Sequence, residues 1–162
     1  AIEQKTTTRS PRSTVGTITE VYDFLRLLFA RAAIAYSKNT GEQMVSYTDE
    51  QIQDLILKDF DGKRINILAP VIRSRKGHYR ELFEQIARQG FLKVRTNGEI
   101  QDIVHGMRLD RYKTHDIEIV IDRLLVNKDK ENLKRLSESI QTAMYHGDDM
   151  LMILDQDTDE VR

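Results

Sequence analysis

The densest chemistry in the chain sits in eight residues. The stretch RSRKGHYR holds Arg73, Arg75, Lys76 and Arg80 with no carboxylate among them. An arginine presents a planar fork of donors that matches carboxylate or phosphate oxygens in pairs, and lysine adds a compact point charge. The chemistry on offer is therefore anion recognition. The pattern places these residues at a strand-to-helix turn, where the helix macrodipole already disfavours cations. Gly77 is expected to let that turn come close to a partner. More cations follow on neighbouring elements, at Arg88, Lys93, Arg95, Arg108, Arg111, Lys113 and Arg123. Such a surface can meet carboxylates on a protein or phosphates on a nucleic acid. A plain solvated loop is the bland alternative. Few aromatics interleave with the charges, which counts against a stacking platform for single strands.

Catalytic patterns are missing. The sequence has no G-x-x-x-x-G-K-[ST] and no G-x-G-x-x-G, and no Ser, His and Asp grouping in a nucleophile's context. His78, His105, His115 and His146 lack metal-ligand spacing, so each reads as a surface or hydrogen-bonding histidine. MLMILDQD resembles the apolar strand ending in a magnesium-binding Asp, but without a phosphate loop it reads as a core strand. DQDTDE opens like a calcium loop, yet lacks the Gly at the sixth place, and reads as a solvated tail.

The elements that must hold the cluster follow from periodicity. Thr17 and Glu20 have the form of a capping box, followed by Val21, Phe24, Leu25, Leu28, Phe29 and Ala32 at helical spacing. NTGEQ is a joint and QMVSY a short strand. Thr48 and Gln51 form a second capping box before a helix with Ile52, Leu55 and Ile56 on its apolar face. KRINILAPVI is a strand in which Pro70 implies an edge position or a bulge. A helix with Tyr79, Leu82, Phe83, Ile86 and Ala87 on one face stops at Gly90. Asn97-Gly98 closes a hairpin within FLKVRTNGEIQDI. HDIEIVIDRLLV is a strand, DKENLKRLSESIQTAMYHG a helix with Leu133, Leu136, Ile140 and Met144 inward, and DMLMILD a last strand. The expected class is α+β: a mixed sheet with helices packed on it, preceded by a loop and one amphipathic helix.

Whole-chain properties agree. The 162 residues, 40% of them hydrophobic, suffice for a real core. The net charge is -1, but Lys63 to Arg80 holds six Lys/Arg and no acid, while Asp148 to Arg162 holds six acids and one Arg. The balanced total argues against a generic polycation that coats nucleic acid and permits a local patch aimed at one partner. The sequence contains no cysteine, which removes disulfides, thiolate nucleophiles and cysteine zinc sites and fits a cytoplasmic protein. No apolar run approaches the length of a membrane span. The opening on Ala1 and polar sequence points to a piece of something longer.

At IEQKTTTRSPRSTVGTITEVYDFLRLLFARAA the chain resembles the UvrA family, the damage-recognition ATPases of bacterial nucleotide excision repair. The elements that carry the likeness are Gln4 to Thr7, Ser10 to Thr17 and Tyr22 to Arg31, and it continues through ILAPVIRSRKGHYRELFEQIARQGFLKVRTNGEI and KTHDIEIVIDRLLV. The resemblance implies that residues 1–37 begin the signature (helical) subdomain, with Gln4 in or beside a nucleotide-sensing loop. Residues 38–155 would be a UvrB-binding domain, and 156–162 an acidic tail returning to the signature subdomain. The cations Arg73, Arg75, Lys76, Arg80, Arg88, Arg95, Arg111, Lys113 and Arg123 would then grip carboxylates on UvrB. ATP, magnesium and zinc, a UvrA homodimer and damaged double-stranded DNA belong to the full-length family. Its phosphate loop, signature segment and zinc cysteines are not in this sequence, and AYSKNTGEQ stands where many relatives carry a Cys-Pro pair. The implied role is docking without catalysis. Direct DNA contact by the same patch is the rival, and an ATPase contribution through Gln4 a third possibility.

Overall fold

The computed structural model describes residues 21–34, 36 and 46–162, and the chain divides into two compact units, residues 1–46 and 47–162. In the first unit the described helix α1 spans Val21–Ala32, and Phe24, Leu28 and Phe29 on it are exposed. Gln4, the Thr17/Glu20 box and most of the QMVSY strand lie outside the described residues.

The second unit opens with α2 (Asp49–Asp59). Thr48 caps it as its sequence requires: the Thr48 hydroxyl accepts from the Gln51 N–H at 3.3 Å, and the Gln51 side chain accepts from the Thr48 N–H at 3.0 Å. Ile56 is buried and Ile52 packs on the core, but Leu55 stays exposed and Leu57 takes its place. There follow β1 (Arg64–Lys76), α3 (Arg80–Arg88), β2 (Lys93–Thr96), β3 (Glu99–Asp102), β4 (Thr114–Leu125), α4 (Lys130–His146) and β5 (Met152–Asp155). The five strands form one sheet in the order β3-β2-β4-β1-β5, and every pairing in it is antiparallel. The α+β class holds, but the sheet is wholly antiparallel and not mixed, since no connection returns a strand parallel to a neighbour it pairs with. The β2–β3 hairpin turns at Asn97 (φ 52) and Gly98 (φ 95), the positive-φ pair its sequence specifies.

Strand β1 is the long member. It pairs with β4 from Arg64 opposite Leu125 to Lys76 opposite Thr114, but with β5 only over Ile65–Leu68. Pro70 thus lies past the last residue that β5 reaches, where a missing N–H breaks no bond to that neighbour, and the register shifts between Pro70 and Ile72. Ile65, Ile67 and Ala69 face the main core with Val94, Ile117, Ile119, Phe83, Ile86, Leu136, Ile140 and Ala143. The three helices of this unit supply that face. Leu68 points the other way, onto Val120, Leu154, Met152 and Val161.

Another register shift lies between Ile67 and Leu68, which pair with Asp122 and Val120 and leave Ile121 as the extra residue. The bulge puts Asp122 on the same side as Ile67, against α4. There it accepts from Arg135 at 2.6 and 2.8 Å and from the Ser139 hydroxyl at 2.9 Å. The acidic C-terminal stretch is not a loose tail. Ile153 and Arg162 exchange backbone bonds at 2.7 and 2.9 Å, folding it back as a hairpin, and buried Asp155 accepts from Lys63 at 2.8 Å.

Burial alone would raise the Asp122 pKa, but the bonds from Arg135, Ser139 and the Arg123 amide outweigh it and hold the carboxyl below the ordinary aspartate value. A depressed folded pKa gives stability that is complete above the unfolded value near ~3.9 and is lost as pH falls through the lower folded value. Asp122→Asn should lower stability at pH 7 by about 1–2 kcal/mol. The difference should shrink below about pH 4. Urea unfolding at both pH values measures it, and equal midpoints at pH 7 would contradict the assignment.

Candidate functional site

The cluster does not sit in a turn. Arg73, Arg75 and Lys76 are the exposed final residues of β1, still paired to β4 through Arg75 opposite His115 and Lys76 opposite Thr114. Only Arg80 begins a helix, and it is already bonded to Glu84 at 3.0 Å. Gly77 has a different task from the one its sequence position implied. A Cβ there would meet the Tyr79 ring at 2.8 Å, so glycine makes room for that aromatic side chain. Tyr79 caps α3 in the left-handed region (φ 55) and donates its hydroxyl to the Arg75 carbonyl at 2.9 Å.

The loop before β4 brings a second set of cations to the same end of the sheet. The Leu109 N–H donates to the His78 carbonyl at 2.8 Å, which ties this loop to the residues after β1. Arg108, Arg111 and Lys113 are exposed on it, and the Arg111 guanidinium lies over the exposed Tyr112 ring, 5.6 Å from its centroid. Among the described residues, none of Arg73, Arg75, Lys76, Arg108, Arg111 and Lys113 has a carboxylate within 4.0 Å. Arg73 instead donates to the Met150 sulfur at 3.1 Å. Six free cations thus gather where β1 ends and β4 begins.

Other predicted members do not join them. Arg123 stands opposite Asn66, eight residues along β4 from His115 and so about 26 Å away along the strand. It donates to Gln156 at 3.3 Å. Arg88 ends α3, about 12 Å from Arg80 along the helix axis. It borders a groove of about 380 Å³ with Ala87, Ile103, Val104 and His105. Arg95 is largely buried and faces Glu118 across the β2–β4 ladder at 3.5 Å, with its Nε unpartnered. Burial raises the Glu118 pKa, the Arg95 charge opposes that, and Asp116 adds to it. This pair floors a shallow concavity of about 620 Å³ on the sheet face away from the helices, bordered by Pro70, Arg73, Asp116 and Met152.

Three participants escaped sequence reasoning. Tyr112 places an exposed aromatic within the basic loop, and its R-Y-K context was a readable signal. His115 is buried and bonded rather than superficial, and Asn97 serves it as well as the hairpin. Nothing in their local sequence announces this, because the contacts cross strands. Among the described residues, no group of three or more His, Asp or Glu could hold a metal ion, and no helix is long and apolar enough to cross a membrane. What remains is a cationic, solvent-facing edge suited to binding anions.

The family model described as the UvrA interaction domain matches residues 47–157, nearly the whole second unit. UvrABC system protein A of Methanothermobacter thermautotrophicus is 49% identical over 148 residues, covering 91% of this chain and 15% of that protein. The same-named protein of Thermus thermophilus is 41% identical over 162 residues, covering 99% and 17%, and that of Bacillus subtilis 44% identical over 154, covering 94% and 16%. The chain spans about a sixth of the length of these relatives.

Because Arg95 neutralises a buried carboxylate, its loss should register in stability. Arg95→Ala is expected to cost about 3 kcal/mol, the low end for a broken buried pair, since Glu118 can take up a proton. Arg75→Ala and Lys76→Ala should stay within about 0.5 kcal/mol of wild type. Guanidinium unfolding of the three variants tests the contrast, and equal costs would show that Arg95 is no different from the displayed cations.

Proposed function

The chain belongs to the UvrA interaction-domain family, and from that premise we propose that it is a protein-docking module of nucleotide excision repair. It binds UvrB through the basic end of its sheet. The supporting observation is the group of six cations that have no carboxylate partner among the described residues, presented by the end of β1 and the Arg108–Lys113 loop. Solvated cations brought together at one end of the sheet fit an acidic patch on a partner. They raise the encounter rate and reject like-charged surfaces. On this reading residues 1–37 begin the signature subdomain, 38–155 form the docking domain and 156–162 lead back toward it. Nucleotide hydrolysis, magnesium, zinc and dimerisation reside in the rest of a cytoplasmic UvrA-type ATPase.

One observation favours a second reading. Tyr112 is 75% exposed beside Arg111, and an aromatic among cations also suits nucleic acid. The two readings part in a paired experiment that titrates the chain with purified UvrB by calorimetry and with damaged duplex DNA by gel shift. We expect UvrB binding, and loss of at least about tenfold in affinity for Arg75→Glu combined with Arg111→Glu, with an unchanged circular dichroism spectrum. Duplex binding without UvrB binding would replace the docking reading with the nucleic-acid one.

A further inference from the structure

The two strips of polypeptide that carry the free cations are joined through one buried ring. His115, 4% exposed, starts the buried part of β4 directly opposite Arg75. Its Nδ1 lies 3.1 Å from the Asn97 Nδ2, and its Nε2 lies 2.7 Å from the Asp110 carbonyl oxygen. The Asn97 amide is not free to turn over, because its Oδ1 accepts the Asp116 N–H at 3.1 Å. Its Nδ2 must therefore donate, His115 Nδ1 must accept, and the ring carries its proton on Nε2, which donates to Asp110.

The same ring meets Tyr79 edge-on, with centroids 6.2 Å apart, and the Tyr79 hydroxyl holds the Arg75 carbonyl. Asp110 is the pivot of the basic loop: its carbonyl also accepts the Lys113 N–H at 3.2 Å, and its carboxylate accepts the Tyr112 N–H at 3.0 Å. On the far side, the Asp116 carboxylate accepts the Ser74 N–H at 2.7 Å, fixing the β1 segment between Arg73 and Arg75. Both polar bonds of the ring thus go to a turn and a loop, and its packing goes to the residue that grips Arg75.

We propose that His115 is a positioning residue for the docking surface. Its ring, protonated on Nε2, latches the Arg108–Lys113 loop to the end of β1 and so sets the spacing between Arg111 and Lys113 on one side and Arg75 and Lys76 on the other. A preset spacing matters because like charges held close together repel, and a loop free to move would swing its cations outward. The order removed from the loop in advance is order that binding does not have to impose. The functional half of the proposal rests on the docking reading above; the latch itself does not.

The test compares the wild-type chain with His115→Phe, which fills the same space against Tyr79 but makes neither bond, and with Asn97→Gly, which keeps the positive-φ turn and breaks the bond from the other side. Long-range nitrogen–proton correlation in the wild type should show the proton on Nε2 alone. In both variants amide exchange at Leu109 and Lys113 should quicken about tenfold or more, while the core amides of Ile67 and Ile119 keep their protection. Affinity for UvrB should fall about tenfold, the scale of one net hydrogen bond. A proton on Nδ1, or unchanged exchange in the loop, overturns the latch. A loosened loop with unchanged UvrB affinity overturns the positioning role. A wild-type chain that does not bind UvrB at all removes the docking role, and the latch is then decided by the tautomer and exchange results.

Discussion

The antiparallel ladder between β1 and β4 carries the rest of the molecule. Side chains in a strand alternate between faces, so a shift of one residue would exchange core and solvent positions along its whole length. Both strands here are twice the common length, and their right-handed twist would carry a strictly regular ladder away from the helices. The register shifts break that regularity at three places. The first hands Asp122 to α4, where Arg135 and Ser139 grip it and fix the helix on the sheet. The others fall after Pro70 and after Ile72, and past them β1 leaves the core and becomes the arm that holds out Arg73, Arg75 and Lys76. One ladder therefore supplies the wall of the core, the seat for the long helix and the display arm.

Charge is distributed around that ladder in two distinct manners. Away from the arm, some cations are paired close to home, Lys63 with Asp155, Lys93 with Asp102, Lys128 with Asp61, Arg135 with Asp122 and Arg162 with Asp59, while Lys58, Arg64, Arg88, Arg123 and Lys130 stand singly without such a pair among the described residues. Most of these pairs are exposed at one partner or both and contribute little to stability. Their effect is to cancel the local field. At the arm six unpaired cations lie together, and the carboxylates nearby accept from backbone amides instead, Asp116 from Ser74 and Asp110 from Tyr112. A protein with net charge -1 thereby presents one end that acts on an approaching partner as strongly positive.

Elements set by local chemistry were legible in the sequence. The Thr48/Gln51 box, the Asn97-Gly98 turn and the periodicity of α3, α4 and β4 each depend on residues a few positions apart. What was not legible depends on partners far along the chain. The residues from Arg73 to Lys76 read as a loop because none favours a strand, yet past an irregularity at which Ser74 takes φ 48, Arg75 and Lys76 pair with His115 and Thr114. Arg95 looks like every other surface arginine until the β2–β4 register sets Glu118 against it. Gly77 reads as a hinge, but the ring it clears space for is two residues on and folded back over it. The candidate cluster is legible from its charges, and which of its cations lie together follows only from the fold.

Under the docking proposal, a surface of this kind trades strength for speed. Exposed ion pairs each contribute under about 1 kcal/mol, so six such cations do not on their own give a permanent complex. Long-range attraction nevertheless raises the association rate without slowing dissociation to match, and it weakens with salt over a Debye length of about 8 Å at physiological ionic strength. The rigidity of the arm then matters more than the number of its charges. Arginines on a floppy loop lose rotamer and backbone freedom on binding, whereas those carried by a paired strand lose mainly their side-chain share. A partner that must bind and leave again is better served by preset geometry than by added contacts, because preset geometry quickens capture while leaving each contact individually weak.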